Sequence, residues 1–400
     1  MTTYVVRNVR PIGSKGLSDI LIQRDTIEGV VPAGSADKTV PGIDGEGNVA
    51  LPSFVDAHIH LDKAFLADRS EYRDSVPEKI RITRDLKRVF TVDDVKERAL
   101  RGVRMAAAQG TGAIRTSVDI DPVVGMRSLR GLLELKQECT HLVDLQIAAF
   151  AQEGLFKHDK SIPLLRRALE MGADLCGGHT GMDVNPDEHI TSMLALAKEY
   201  EVDVEFHVDE SGKSEDFWLP RLAQSVMKAG YEGRVSAIHC CSLATVDDTA
   251  ARDGIAMLND AGMNVVVCPT ATGPMRKLTR VSELVEAGIT LALGSDNLRD
   301  TWYPMGNANL LLSCNLLAAV NRLFSGPASE ELHNLITYNG AKVLKIPDYG
   351  LERGKKADIV VLHGASFWEA LVEPRPVKIV LKRGRVVDTG CNPITSAKNN

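Results

Sequence analysis

The 400-residue sequence predicts an α/β protein, a (β/α)8 TIM-type barrel with a small β domain formed from both chain ends. Three observations carry this expectation. Eight short apolar runs follow one another through the middle of the chain, spaced widely enough for a helix between each pair. Several of those runs end in a histidine or an aspartate. The two chain ends, finally, look alike: both are short β-rich runs punctuated by glycine and proline.

At the N-terminus, YVVRNV, DILIQ and IEGVV alternate with turn residues over residues 3–50. Near the C-terminus, ADIVVL is followed by PVKIVLKRGRVVDTG, in which KRGR reads as a hairpin turn. The expected organisation is therefore a small β domain from residues 1–50 plus 350–390 and a barrel over 51–349. Candidate barrel strands are NVALPSFVDAHIH, GAIRTSVDI, VDLQIAAFA, ADLCGG, VDVEFHV, RVSAIHC, NVVVCPT and ITLALGSD, beginning near residues 48, 112, 143, 173, 202, 234, 264 and 289. Helical periodicity stands between them in VDDVKERALRGVRMAAAQG, SIPLLRRALEMG, ITSMLALAKEY, LPRLAQSVMKAG, VDDTAARDGIAMLNDAG and VSELVEAG, several stopping at glycine. An open doubly wound sheet is the structural alternative. The count of eight, with polar residues at the ends of strands 1, 5, 6 and 8, favours the barrel.

Composition narrows the functional classes. Hydrophobic residues make up 44% and charged residues 25%, ordinary values for a globular protein. A net charge of -6 and the lack of a basic run argue against nucleic acid as a partner. No apolar segment is long enough to span a membrane, and MTTYVVRNVRPIG lacks the apolar core of a signal peptide. The seven cysteines show neither disulfide-framework spacing nor C-x-x-C, and all are expected to be reduced thiols of a cytoplasmic protein. Cys240 and Cys241 are expected to point to opposite faces of a strand.

The stretch LPSFVDAHIHLDKAF, Leu51 to Phe65, brings chemistry into the picture. Leu51, Phe54, Val55 and Ala57 read as a buried strand whose start is marked by Pro52 and Ser53. Residues two apart on a strand share a face, so His58 and His60 project together from its end. In a barrel the active site lies at the C-terminal ends of the strands. His207 in EFHVDE, His239 in SAIHCC and Asp296 in LALGSDN occupy the corresponding ends of strands 5, 6 and 8. Four histidines and a carboxylate at matching ends point to a metal site. Imidazole and carboxylate donors suit zinc, iron(II) or manganese, and such an ion makes hydroxide available near neutral pH. Asp296 can bind the ion and accept the proton of the attacking water, and His239 can orient that water.

These motifs resemble the amidohydrolase superfamily, and within it the cytosine deaminase branch, over nearly the whole chain. The marks are HIH at 58–60, HVDE at 207–210, His239, SDN at 295–297 and the returning segment GLERGKKADIVVL. AFAQEGLF is similar to the strand-3 segment that carries the substrate-binding glutamine, and DTWYPMGNANLL to the segment whose tryptophan lines the base pocket. The resemblance implies that His58, His60, His207 and Asp296 bind one divalent transition metal ion per chain, zinc or iron(II). It implies that Glu210 moves a proton to a ring nitrogen and that His239 assists at the activated water. Gln152 then hydrogen-bonds the carbonyl and ring N–H edge of the heterocycle, and Trp302 packs on the ring. Without the resemblance, Glu210 reads as a solvated loop carboxylate, Gln152 as a surface amide and Trp302 as packing.

The fourth strand, ADLCGGHTG, has no lysine of the kind that bridges two metals in binuclear relatives, so a single ion is expected. His179 there is read either as a structural or loop residue or as a substrate contact. Asn297 departs from cytosine deaminase, which has a second aspartate at this point. Asparagine followed by LRD is more similar to N-isopropylammelide amidohydrolase, although that family's pattern has no glutamate at the position of Glu210.

The expected activity is therefore hydrolytic release of ammonia from an amino-substituted N-heterocycle, a cytosine-like pyrimidine, triazine or pterin. The runner-up is release of an alkylamine from a triazine. Behind these stand cyclic amide hydrolysis and an inactive scaffold relative. A small-molecule N-heterocycle is the expected partner, and the resemblance implies a homo-oligomer.

Overall fold

The computed structural model describes residues 2–272 and 278–388. Two eight-stranded sheets organise these residues. The first draws on both chain ends: β1 (Tyr4–Pro11), β2 (Ser18–Gln23), β3 (Thr26–Pro32), β4 (Gly42–Asp44) and β5 (Val49–Pro52), joined late in the chain by β14 (Ile359–Val361), β15 (Ile379–Lys382) and β16 (Arg385–Val386). Its order is β16-β15-β14-β5-β1-β2-β3, with β4 also on β1. The KRGR turn closes the β15–β16 pair, with Lys382 opposite Arg385. Arg383 (φ 49) and Gly384 (φ 72) both take left-handed backbone there, the conformation a two-residue hairpin turn requires. Thr389, Gly390 and Cys391 lie outside the described residues.

The second sheet is parallel and runs in chain order through β6 (Phe54–Ile59), β7 (Thr111–Asp119), β8 (Asp144–Ala151), β9 (Leu175–His179), β10 (Val204–Val208), β11 (Val235–His239), β12 (Asn264–Val267) and β13 (Leu291–Leu293). Its two edges meet. The His60 amide donates to the Asp296 carbonyl at 2.9 Å, and the Asp296 amide donates to the His58 carbonyl at 2.8 Å. Gly294 allows this approach, because a Cβ there would stand 2.6 Å from the His58 carbonyl oxygen. The result is the closed α/β barrel that the eight apolar runs predict. Every residue of β6 and β7 is buried, as expected of parallel strands covered on both faces.

Helices cover the barrel, among them α1 (Val76–Lys87), α2 (Val92–Ala108), α3 (Arg127–Glu138), α4 (Ser161–Glu170), α5 (Pro186–Glu199), α6 (Leu219–Ala229) and α7 (Asp248–Asp260). Helix α2 buries Val95, Ala99, Val103 and Ala106 at helical spacing, and the Thr91 hydroxyl caps it by accepting from the Asp94 amide. Helix α6 ends at Gly230, which takes the left-handed conformation of a C-terminal stop.

Two local expectations are corrected. NVALPSFVDAHIH is two strands: β5 pairs with β1 and β14 in the first sheet, Ser53 intervenes, and β6 enters the barrel. Pro52 cannot donate to a ladder, so it marks the change of sheet. Cys240 and Cys241 are not on a strand. Strand β11 stops at His239, Cys240 takes φ 50, and Cys241 opens a short 3-10 turn. Six cysteines are buried and in no disulfide, and the seventh, Cys391, lies outside the described residues.

Candidate active site

Strand direction brings the polar residues to one rim. Every barrel strand runs the same way, so each C-terminal end opens on the same face. His58 stands near the end of β6 and His60 one residue beyond it; His207 lies in β10, His239 ends β11 and Asp296 follows β13. The His58 Nε2 and His207 Nε2 atoms are 3.1 Å apart. Asp296 Oδ1 is 3.5 Å from Nε2 of both His58 and His60. Donors about 2.0–2.1 Å from a tetrahedral ion lie about 3.3 Å from one another, so His58, His60 and Asp296 fit one cation, and His207, grouped with His58 and His239, stands at similar spacing from His58.

The protonation states of His60 and His207 fit as well, whereas His58 is pulled the other way by its carboxylate neighbours. Burial, reinforced by the charges of Lys63 and His58, holds the His60 imidazole well below its ordinary range. Burial and the neighbouring His58 do the same for His207. Both are thus kept in the neutral form that ligates. Burial also opposes protonation of His58, but its hydrogen bond to Asp296 and the charges of Glu205, Asp296 and Asp56 outweigh it and raise the pKa. The rings are oriented from behind. Ser117 Oγ donates to the Glu205 carboxylate and accepts from His58 Nδ1 at 3.2 Å. His60 Nδ1 lies 3.2 Å from the Ser117 carbonyl. With both Nδ1 atoms engaged, the Nε2 atoms face the centre.

Backbone strain accompanies this arrangement. Asp296 (φ 59) and His239 (φ 77) occupy the left-handed region, which non-glycine residues seldom adopt and which clusters at functional sites. Ser295 donates from its amide at 3.0 Å and its hydroxyl at 2.5 Å to buried Asp56, fixing the turn that presents Asp296. Burial chiefly, against those two hydrogen bonds, pushes the Asp56 carboxyl up to about 6.

A cavity of about 510 Å³ opens above the histidines, the size of a small-molecule site. Apart from His58, which is fully buried, the residues singled out in the sequence all line it. Glu210 Oε2 is 2.8 Å from His179 Nε2, 3.9 Å from His239 Nε2 and 4.0 Å from His207 Nδ1. His179 is therefore not a loop residue: it ends β9, directly opposite His207 in the register. Gln152 follows the last residue of β8, and its Oε1 accepts from Lys63 Nζ at 3.2 Å. Asn297 Nδ2 donates to Asp300 Oδ2 at 2.7 Å, and Asp300 Oδ1 accepts from the Trp302 amide at 2.8 Å. The Trp302 carbonyl accepts from Lys79 Nζ of α1 at 3.2 Å.

Lys63 was not singled out in the sequence, although it lines the cavity and is buried. Its Nζ donates to Asp119 Oδ1 at 2.7 Å, and Asp119 also pairs with Lys87. One available signal was the alternation Arg115, Ser117, Asp119 along β7, which puts three polar side chains on one face of a fully buried strand.

A parallel barrel with its polar residues gathered at the C-terminal rim defines an enzyme of the TIM-barrel class. The chain belongs to the amidohydrolase family, whose profile matches residues 83–388. It is 34% identical over 358 residues to the N-isopropylammelide isopropyl amidohydrolase of Pseudomonas sp. (strain ADP), covering 86% of this chain and 87% of that protein. It is 28% identical to the pterin deaminase of Rhizobium rhizogenes, over 94% of this chain and 89% of the relative. Among solved structures, 5-methylcytosine deaminase from Klebsiella pneumoniae liganded with 5-fluorocytosine superimposes with a TM-score of 0.89 at 30% identity, covering 96% of this chain and 97% of that one. N-isopropylammelide isopropylaminohydrolase from Burkholderia multivorans gives 0.87 at 29%, covering 97% and 98%. The protein is thus a hydrolase acting on carbon–nitrogen bonds.

Proposed function

We propose that the chain is a metal-dependent hydrolase that releases ammonia from an amino-substituted N-heterocycle, with His58, His60, His207 and Asp296 holding one zinc or iron(II) ion. The observation that carries the reading is the position of Glu210. Its carboxylate stands within 4.0 Å of His207 and His239 and lines the cavity beside the proposed ligands. A bound ion supplies a water activated for attack near neutral pH.

The chain's own residues do the rest. Asp296 takes the proton of the attacking water, and His239 stabilises charge developing on the oxygen as it adds to the amino-bearing carbon. Glu210 delivers a proton to the adjacent ring nitrogen, so negative charge does not accumulate there. His179, bonded to the same carboxylate, orients it. Asp296 returns its proton to the amino nitrogen, the carbon–nitrogen bond breaks to release ammonia, and the hydroxyl proton passes back to Glu210 as the lactam carbonyl forms. Trp302 stacks on the ring, and Gln152 meets its far edge.

A second reading, release of an alkylamine from a triazine, is favoured by Asn297 and by the similarity to the Pseudomonas relative. The experiment for both is an amine-release screen of metal-loaded protein against cytosine, isocytosine, pterins, ammelide and N-alkyl ammelides. Ammonia from one of these supports the first reading, alkylamine the second, and no amine from any of them sinks both.

A further inference from the structure

Behind the proposed ligands, inside the barrel, stands a carboxylate for which the proposed reaction has no use. Glu205 lies on β10 two residues before His207, so the two side chains share a face of the strand. It is fully buried. The barrel makes room for it, since a Cβ on Gly177 of β9 would stand 2.7 Å from the Glu205 Cγ. Its Oε1 accepts from the Ser117 hydroxyl. Its Oε2 faces Arg115 Nη1 at 4.0 Å and has no hydrogen bond among the described residues. Burying a carboxylate with one oxygen left unbonded is costly, which points to a role beyond packing.

Proton counting shows what that role is. A serine hydroxyl has one proton to donate and two lone pairs. Ser117 gives its proton to Glu205, so it offers His58 Nδ1, 3.2 Å away, only a lone pair. Nδ1 must therefore carry a proton, and in the neutral ring Nε2 keeps the lone pair that a metal needs. Asp296 Oδ1, 3.5 Å from Nε2, draws a proton the other way until a metal is bound. We propose that Glu205 is a positioning residue that sets the tautomer of His58 through the single proton of Ser117, keeping Nε2 open to the ion. The consequence for metal affinity rests on the metal site proposed above, whereas the tautomer is a property of the chain alone. Glu205→Gln keeps the size of the side chain but brings an amide NH2 that donates to Ser117. The serine proton then turns to His58 Nδ1, and the ring's own proton moves to Nε2, where it blocks the ion.

Two readouts test this. Nitrogen-15 spectra of the histidine rings are recorded on metal-free protein at about pH 9, well above the ordinary imidazole pKa of ~6.5. With His58 assigned by difference against His58→Asn, the wild type is expected to carry the proton on Nδ1, and Glu205→Gln and Ser117→Ala on Nε2. Zinc affinity, measured by competition with a chromogenic chelator, is expected to fall ~10–100-fold in either variant. The double substitution is expected to bind no more weakly than the singles, because both break one relay. Ser117→Thr, which restores the hydroxyl, is expected to restore the tautomer and most of the affinity. A merely structural role would weaken zinc binding without moving the proton. An Nε2-protonated His58 in the wild type overturns the proposal, as does a Glu205→Gln protein that keeps the wild-type tautomer or the wild-type zinc affinity. Should Glu205→Gln not fold, Ser117→Ala and Ser117→Thr decide in the same way. A wild type that binds no zinc or iron(II) sinks the proposed function, and the ring spectra still decide this inference.

Discussion

Glu210, at the scale of single residues, separates proton transfer from metal binding, because it contacts the histidine group without being one of the four proposed ligands. Glu210→Gln keeps the size and hydrogen bonding of the side chain but cannot shuttle a proton. It is expected to lower kcat by ~10²–10⁴-fold, roughly 3–5 kcal/mol of barrier, with metal content unchanged by elemental analysis. A near-wild-type kcat would move the assignment to the alkylamine reading. Asn297→Asp sets a second carboxylate beside Asp300, whose oxygen is now 2.7 Å from the Asn297 amide nitrogen. That repulsion is expected to loosen the Trp302 loop, shifting preference among substrates and lowering the melting temperature while the protein still takes up metal. The pair His58 and His60 was legible because a two-residue period puts both side chains on one face. Lys63 was not, since a lysine just past a strand end resembles any solvated charge until Asp119, 56 positions away, is seen beside it.

At the scale of elements, the barrel depends on how closely its first and last strands approach. Gly294→Ala would drive a methyl group against the His58 carbonyl, at 2.6 Å, and its Cβ, at 2.8 Å. It is expected to lower the melting temperature and metal occupancy together; loss of neither would mean that the seam relaxes freely. The loop after β13 carries a pH dependence of its own. Burial chiefly pushes the Asp300 carboxyl up to about 6, against hydrogen bonds from Tyr303, Asn297 and Trp302. In the unfolded chain this group titrates near ~3.9. Between those values the folded form binds more protons, so this contribution to stability is complete below about pH 4 and is lost as pH rises through about 6, on the order of 3 kcal/mol. Asp300→Asn is expected to flatten that part of the stability–pH curve measured by urea unfolding, and an unchanged slope would contradict it. The eight strands were legible because buried parallel strands are nearly continuous apolar runs. Helix α1 was not, since the face it buries is Lys79, Thr83 and Lys87, and hydrophobic periodicity is silent about such a helix. Helix α3 buries Leu129, Leu132 and Leu135, a readable pattern that had not been singled out.

At the scale of the whole molecule, the sheet from the chain ends is tied to the barrel far from the site. Lys382 Nζ donates to the Gly112 carbonyl at 2.9 Å, near the start of β7, to Asp144 at the start of β8 at 2.8 Å, and to Asp358 at 2.7 Å. Removing one member of a buried ionic group costs about 3–5 kcal/mol. Lys382→Met is therefore expected to lower thermal stability markedly while the folded fraction keeps its kcat; a selective fall in kcat would show that the two ends of the barrel are coupled. That both chain ends build one sheet was legible from their shared composition, whereas the change of sheet at Ser53 was not, because the apolar run continues across it. The central claim, a metal held by His58, His60, His207 and Asp296 driving amine release, is tested most directly by one titration. Protein stripped with a chelator is reloaded with zinc or iron(II) while amine release from the best heterocycle of the screen is followed. Activity is expected to vanish on stripping and return at one ion per chain, and His60→Ala is expected neither to bind the ion nor to recover. Undiminished turnover by metal-free protein, or full recovery by His60→Ala, would contradict the account.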